Sequence, residues 1–209
     1  MYALVENNEI TKLINNPKAM VIGDVQYPAK IFQLWSASEL NAIGIYEVVF
    51  DDSNKKDEKW YINTNQSFAF ADGTVTASYG TATPKAHADT LWTQDEINDG
   101  DAPEGISPGD VKTEGLKTTL IRTLKQQVAG ILNDTDWYIT RNAEKSTAIP
   151  SAISTHRDAV RTKQASMETA ITNASDTPAL ETLYKYVNTG TEENPVYEKP
   201  LGELPTLES

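Results

Sequence analysis

Few residues in this chain are equipped for chemistry, and their spacing mostly argues against it. Of the two histidines, His156 falls on the apolar seam of a helical stretch. We read it as a hydrogen-bonded packing residue, with a catalytic or metal-binding role as the alternative. His87 sits between Pro84 and Asp89, with only Asp89 near it in sequence. No His-x-x-x-His or His-x-His pair is present to hold zinc. Cysteine is absent, which excludes disulfides, thiolate nucleophiles and Cys-ligated metals. Asp95, Glu96, Asp99 and Asp101 have the composition of a calcium loop. They lack its order of acidic positions 1, 3 and 5, Gly at 6 and Glu at 12, so the run reads as a solvated loop. Glu192-Glu193 reads the same way. A Gly-x-Ser-x-Gly elbow, a P-loop and a dinucleotide fingerprint are all missing. The expectation is a protein that is not an enzyme, with no catalytic residue, metal site or cofactor.

Arginine is scarcer and more telling. The four arginines, Arg122, Arg141, Arg157 and Arg161, all lie in the C-terminal half. Arg141 follows Trp137 by four residues, so on a helix the two share a face and can stack, or Arg141 can pair with Asp136. This reads as structural glue, the alternative being a partner-binding hot spot. Trp137 is expected to be a core anchor where two long helices meet. Trp92, in the island Leu91-Trp92, is placed to anchor its segment to a neighbouring surface. The candidate structural or interface residues are Trp92, Trp137, Arg141, Ile153, His156, Arg157, Val160 and Arg161.

Composition narrows the function classes further. The net charge of −12 over 209 residues repels phosphate backbones, and no Lys/Arg cluster reverses the sign locally, so no nucleic-acid partner is expected. No apolar run reaches the length of a membrane span, so no membrane insertion is expected. The opening MYALVENNEI has neither a basic nor an apolar signal region, and no signal peptide is expected. The hydrophobic fraction of 39% is slightly low for a globular chain, and Thr, Asn and Ser fill the gap. That texture suits small cores and much exposed surface.

The elements follow from periodicity. Tyr2–Glu6 and Glu9–Ile14 read as a hairpin around Asn7-Asn8. Within 25–50 a short helix is expected, with Ser36 or Ser38 as its cap and Gly44 as its end before a strand Ile45–Phe50. Period-two alternation on both sides of Asp72-Gly73 predicts a second hairpin, and Trp60–Asn63 is expected to add a third strand to an antiparallel meander. Pro84, Pro103, Pro108 and several Gly or Asp-Gly signals mark 81–114 as an extended linker or a segment lying on another surface. Leu116, Leu120, Leu124, Val128 and Leu132, flanked by Ile121 and Ile131, then cover a helical arc of roughly 160°. Asp136 is expected to cap a short turn holding Trp137 and Tyr138. A second long helix opens near Pro150 with a narrow seam at Ile149, Ile153, His156, Val160, Met167 and Ile171. Pro178 opens a third, short helix. The fold class expected is α+β: a small antiparallel β-rich N-terminal part, 1–80; an extended linker, 81–114; a helical, hairpin-like C-terminal part, 115–187; and an extended acidic tail, 188–209.

The stretch from Leu132 through Thr135-Asp136-Trp137 to Arg141, then Ile149-Pro150 and His156-Arg157-Asp158-Ala159-Val160-Arg161, resembles the C-terminal region of bacteriophage tail-fibre assembly proteins and related phage tail proteins. The family pattern is Thr-Asp-Trp, then Arg, an Ile/Val-Pro start and Tyr-Arg-x-x-Leu-Arg; here His156 stands for the Tyr and Val160 for the Leu. MYALVENNEI, YPAKIF and the Trp60-Tyr61 strand are similar to small β-rich phage tail modules. Leu91-Trp92-Thr93-Gln94 with 109–117 resembles a linker of marine phage versions. The resemblance spans about half the chain. It implies a non-enzymatic virion structural protein of the tail or tail fibre, assembled in the host cytoplasm. Its expected partners are other tail or fibre proteins, and a homo-oligomer is expected. The alternative is an assembly chaperone that leaves before the virion matures, with a fibre-tip hydrolase more distant. It transfers no catalytic residue.

Overall fold

The structure, a computed structural model, describes residues 1–207. The chain divides into two compact units, Met1–Thr83 and Pro84 onward. The class is α+β, with a β-rich N-terminal part and a helical C-terminal part.

The first unit is built on β1 (Tyr2–Glu6) and β2 (Glu9–Ile14), β3 (Met20–Ile22) and β4 (Val25–Tyr27), α1 (Ile31–Leu34), α2 (Ala37–Ala42), β5 (Ile45–Asp51), β6 (Tyr61–Ile62), β7 (Ser67–Ala71) and β8 (Thr74–Ser78). Asn7 and Asn8 have φ of 54° and 64°, and Asp72 and Gly73 have 49° and 73°. Both pairs thus take the left-handed turn conformation that suits the twist of a two-residue hairpin. Ser36 caps α2 through a reciprocal box with Glu39. After α2 the chain must pass close under β1. Gly44 has φ +82°, and a Cβ there would stand 2.6 Å from the Val5 carbonyl oxygen, so glycine alone fits.

The main sheet has the order β2-β1-β5-β8-β7. The expected meander differs in one respect. β6 does not join this sheet; β8 instead pairs in parallel with β5, from Val48↔Val75 to Asp51↔Ser78. Val75 and Ala77 are fully buried, which suits an interior strand, and β5 is the longest apolar strand available to flank it. Alternation gives the sheet two apolar faces. Ala3, Val5, Val48, Val75 and Ala77 pack on one side. Leu4, Ile14 and Ile45 pack on the other, under Ile31 and Leu40 of the short helices. Trp60 is the buried tryptophan of the chain, 3% exposed.

After β9 (Thr83–Pro84), the second unit contains β10 (Thr90–Leu91), α3 (Gln94–Asn98), β11 (Val111–Thr113), α4 (Leu116–Asn133), α5 (Asp136–Lys145), α6 (Ser151–Asn173), α7 (Thr177–Tyr184), β12 (Val187–Asn188) and β13 (Tyr197–Glu198). Lys117 Nζ donates to the Thr172 carbonyl and Arg157 to the Leu132 carbonyl, so α4 and α6 run antiparallel as a helical hairpin. Leu124 and Val128 of α4 and Ile153, Val160, Met167 and Ile171 of α6 are all buried, as are Leu180 and Leu201.

The stretch expected as a linker is organised. β10 and β11 form a ribbon, and Thr93 and Glu96 form the capping box of α3. The Ala86 and His87 carbonyls accept the N–H groups of Leu116 and Lys117. The Asp89 carboxylate takes the Gly115 N–H at 2.7 Å and the Thr118 hydroxyl at 2.8 Å. The first turn of α4, which Gly115 cannot cap with a side chain, is therefore capped by chain 26 to 30 positions upstream. A Cβ on Gly115 would collide with the Ala88 carbonyl. In the acidic tail, β12 and β13 pair and Leu201 is buried, its N–H donating to the Leu183 carbonyl. Positions 208–209 of that tail lie outside the described residues.

Candidate functional site

Arg157 organises the turn between α4 and α5. Its side chain is 8% exposed. One terminal nitrogen, Nη1, donates to the Leu132 carbonyl at 2.8 Å and to Thr135 Oγ1 at 2.6 Å. The other, Nη2, meets Asp136 Oδ1 at 2.8 Å. Thr135 Oγ1 in turn donates to the same Leu132 carbonyl at 3.0 Å. That carbonyl is one of the last in α4; the Thr135 N–H reaches it at 3.1 Å, and the guanidinium adds a charged donor. Asp136 was expected as a cap or as the partner of Arg141. It instead opens α5 and pairs with Arg157.

So held, α5 projects with none of its ten residues buried. Trp137 is 51% exposed and not the core anchor the sequence predicted. The reason is local. Trp137, Tyr138 and Ile139 are consecutive, so a helix points them in three directions. Arg141 and Ala143, at i+4, give no apolar stripe to bury. Meanwhile the buried positions of α4 and α6 are filled by side chains of those two helices themselves. The Trp137 and Tyr138 ring centroids lie 3.8 Å apart. The Arg141 guanidinium stands over both, 4.6 Å and 5.3 Å away. The stack expected from the four-residue spacing is present. Arg141 Nε is shielded from solvent and has no hydrogen-bond acceptor among the described residues.

The other candidates separate. Ile153 and Val160 are buried at 7% and 0% exposure, so the narrow seam is intramolecular core and not a surface for another chain. Its partner is α4, whose arc closes over it. His156 is buried but has no hydrogen-bond partner among the described residues, contrary to expectation, and it lines a groove between α6 and the segment 205–207. Arg161 is exposed and among the described residues pairs with Asp158, at 3.5 Å. Trp92 lies under Lys112 Nζ, 4.4 Å from its ring centre, and Lys112 binds Glu96 at 2.6 Å. Lys112 and then the Thr93 N–H and hydroxyl push the Glu96 carboxyl down to about 2. The acidic run is thus a capped helix, and no group of three potential metal ligands occurs among the described residues. No helix among the described residues is long and apolar enough to cross a membrane.

Sequence reasoning missed Tyr138 as a stacking partner and Asp89 as the cap of α4. The role of Arg157 was readable in principle, since it lies four residues after Ile153 and shares the buried side of α6. What α5 and its clamp offer chemically is recognition: flat aromatic area, a guanidinium in place over it, and a rigid base. In comparisons with known proteins, no family model, no curated protein and no solved structure matches the chain.

Proposed function

We propose that this chain is a non-enzymatic structural protein of a phage tail or tail fibre, carried in the virion and assembled in the host cytoplasm. It works by protein–protein contact, with other tail or fibre proteins or with further copies of itself. One observation carries the reading. The segment bearing the resemblance, Thr135 to Arg141, is the segment that displays Trp137, Tyr138 and Arg141 on a helix with nothing buried. Tryptophan, tyrosine and arginine dominate interface hot spots. Here they are ordered in advance, which lowers the entropy lost on docking. The Arg157 clamp supports the same reading, because a rigid base is what a contact helix needs.

Mass spectrometry of purified virions tests it. The expected result is this chain in fixed stoichiometry with known tail proteins. Its absence from particles, together with expression in infected cells, would overturn the virion role in favour of the assembly chaperone.

A further inference from the structure

We propose that the groove between the first two turns of α6 and the segment 205–207 is a binding site for a carboxylate, a reading that stands whether or not the chain belongs to a virion. The groove has a volume of about 430 Å³. Pro150 stands at the N-cap of α6 and offers no side-chain acceptor. Its carbonyl takes the N–H groups of Ile153 and Ser154 at 3.0 and 3.2 Å. The N–H groups of Ser151 and Ala152 have no acceptor among the described residues. A helix of 23 residues concentrates positive partial charge on such free donors, and an anion is their natural partner.

His156 is the independent observation. It is 8% exposed, its ring has no hydrogen-bond partner among the described residues, and it lines the same groove as Ser151, Ala152 and Thr155. Its ring nitrogens lack a protein partner among those residues yet keep contact with solvent through the groove. A ligand in the groove supplies one. Two hydroxyls of α6, Ser151 and Thr155, stand beside it, and no Asp or Glu lines the groove among the described residues. The far wall is mostly apolar, with Pro205 and Leu207 on either side of Thr206. Donors at one end and apolar wall along the side fit a carboxylate on a short aliphatic stem. In a chain of net charge −12, a singly charged group is also the anion least opposed by the overall field. The stem belongs either to an acidic side chain of a protein segment or to a free short-chain acid.

The test is NMR of the imidazole and amide signals in the full chain, where His87 serves as the internal control. Sodium acetate, the capped tripeptide Ala-Glu-Ala and sodium chloride are titrated at equal ionic strength. We expect the His156 ring signals and the Ser151 and Ala152 amides to move saturably with acetate and peptide, while His87 stays still and chloride has no effect. Peptide affinity about tenfold above that of acetate, ~1.4 kcal/mol, assigns the stem to a protein segment; equal affinity assigns it to a free acid. Ser151→Asp places a tethered carboxylate at the helix start, where negative charge is stabilising. That variant should fold and bind acetate about tenfold more weakly. The proposal is overturned if His156 does not respond up to about 50 mM ligand. It is equally overturned if both histidines move alike, or if Ser151→Asp leaves the response unchanged.

Discussion

Arg157 shows how one side chain decides the geometry of a neighbouring helix. It donates to the Leu132 carbonyl and the Thr135 hydroxyl and pairs with Asp136. Removing it takes a charged donor from the buried Thr135 hydroxyl and from the Leu132 carbonyl, which keeps the Thr135 N–H and hydroxyl as donors, and frees the half-exposed Asp136. Arg157→Ala should therefore lower stability by about 1–3 kcal/mol. Arg157→Lys should recover less than half of that, because an ammonium cannot span the two directions of the fork. Urea unfolding of the full chain, followed by helical circular dichroism, checks both. The tryptophans make the complementary case. Trp60 is 3% exposed and Trp137 is 51% exposed. Trp60→Ala should lower stability by about 3–5 kcal/mol, the range for emptying a large buried aromatic site. Trp137→Ala should lower it by less than about 1 kcal/mol, the scale of a surface stack on arginine. Similar losses for the two variants would show that the exposure of Trp137 is not the state in solution.

The element between the two readings of the chain is the ribbon β10–β11 with α3. Its stability is tied to Glu96, whose carboxyl falls from the ordinary value of 4.5 to about 2 through Lys112 and then Thr93. A carboxylate with a depressed folded value stabilises fully above its unfolded value, and that contribution is lost as pH falls through the folded one. The ribbon should therefore be intact near neutral pH and loosen between about 4.5 and about 2. The Trp92 indole N–H signal, which reports the Lys112 contact, is the measurement. Glu96→Gln should remove the pH dependence of that signal in this window. If the signal titrates unchanged in the variant, another carboxylate is responsible. The same element shows where legibility ended. Both left-handed hairpin turns, the Ser36 cap, Gly44, the Pro150 start of α6 and the antiparallel helical pair were readable, because each depends on residues a few positions apart. Asp89 capping α4 across 26 positions and the parallel match of β5 with β8 were not. Neither leaves a local period, and dense Pro and Gly in 81–114 signal turns without saying what those turns pack on. The role of Trp137 failed for a related reason. Residue type favoured burial, but burial needs a stripe of neighbours at helical spacing, and α5 has none.

At the scale of the molecule, charge and exposed surface pull in opposite directions. A net charge of −12 makes copies of this chain, and any acidic partner, repel one another at long range. Physiological salt screens such fields beyond about 8 Å. A contact made by α5 depends on short-range terms: aromatic area, the Arg141 guanidinium stacked over it, and the shielded Nε that still lacks an acceptor. Association through this helix should therefore change little, by less than about threefold, when salt is raised well above the physiological level, unlike a steered ionic encounter. Two substitutions separate contact from core. Ile153 is buried at 7% exposure, so Ile153→Asp should unfold the helical pair and lose binding only as a consequence. Trp137→Ala should keep the fold and lose the partner. Sedimentation of the full chain alone and with isolated tail proteins, at low and high salt, reads all three quantities. A folded Ile153→Asp protein that fails to bind would return the seam of α6 to the list of interfaces. Undiminished binding by Trp137→Ala, or an affinity that collapses with salt, would remove α5 from it.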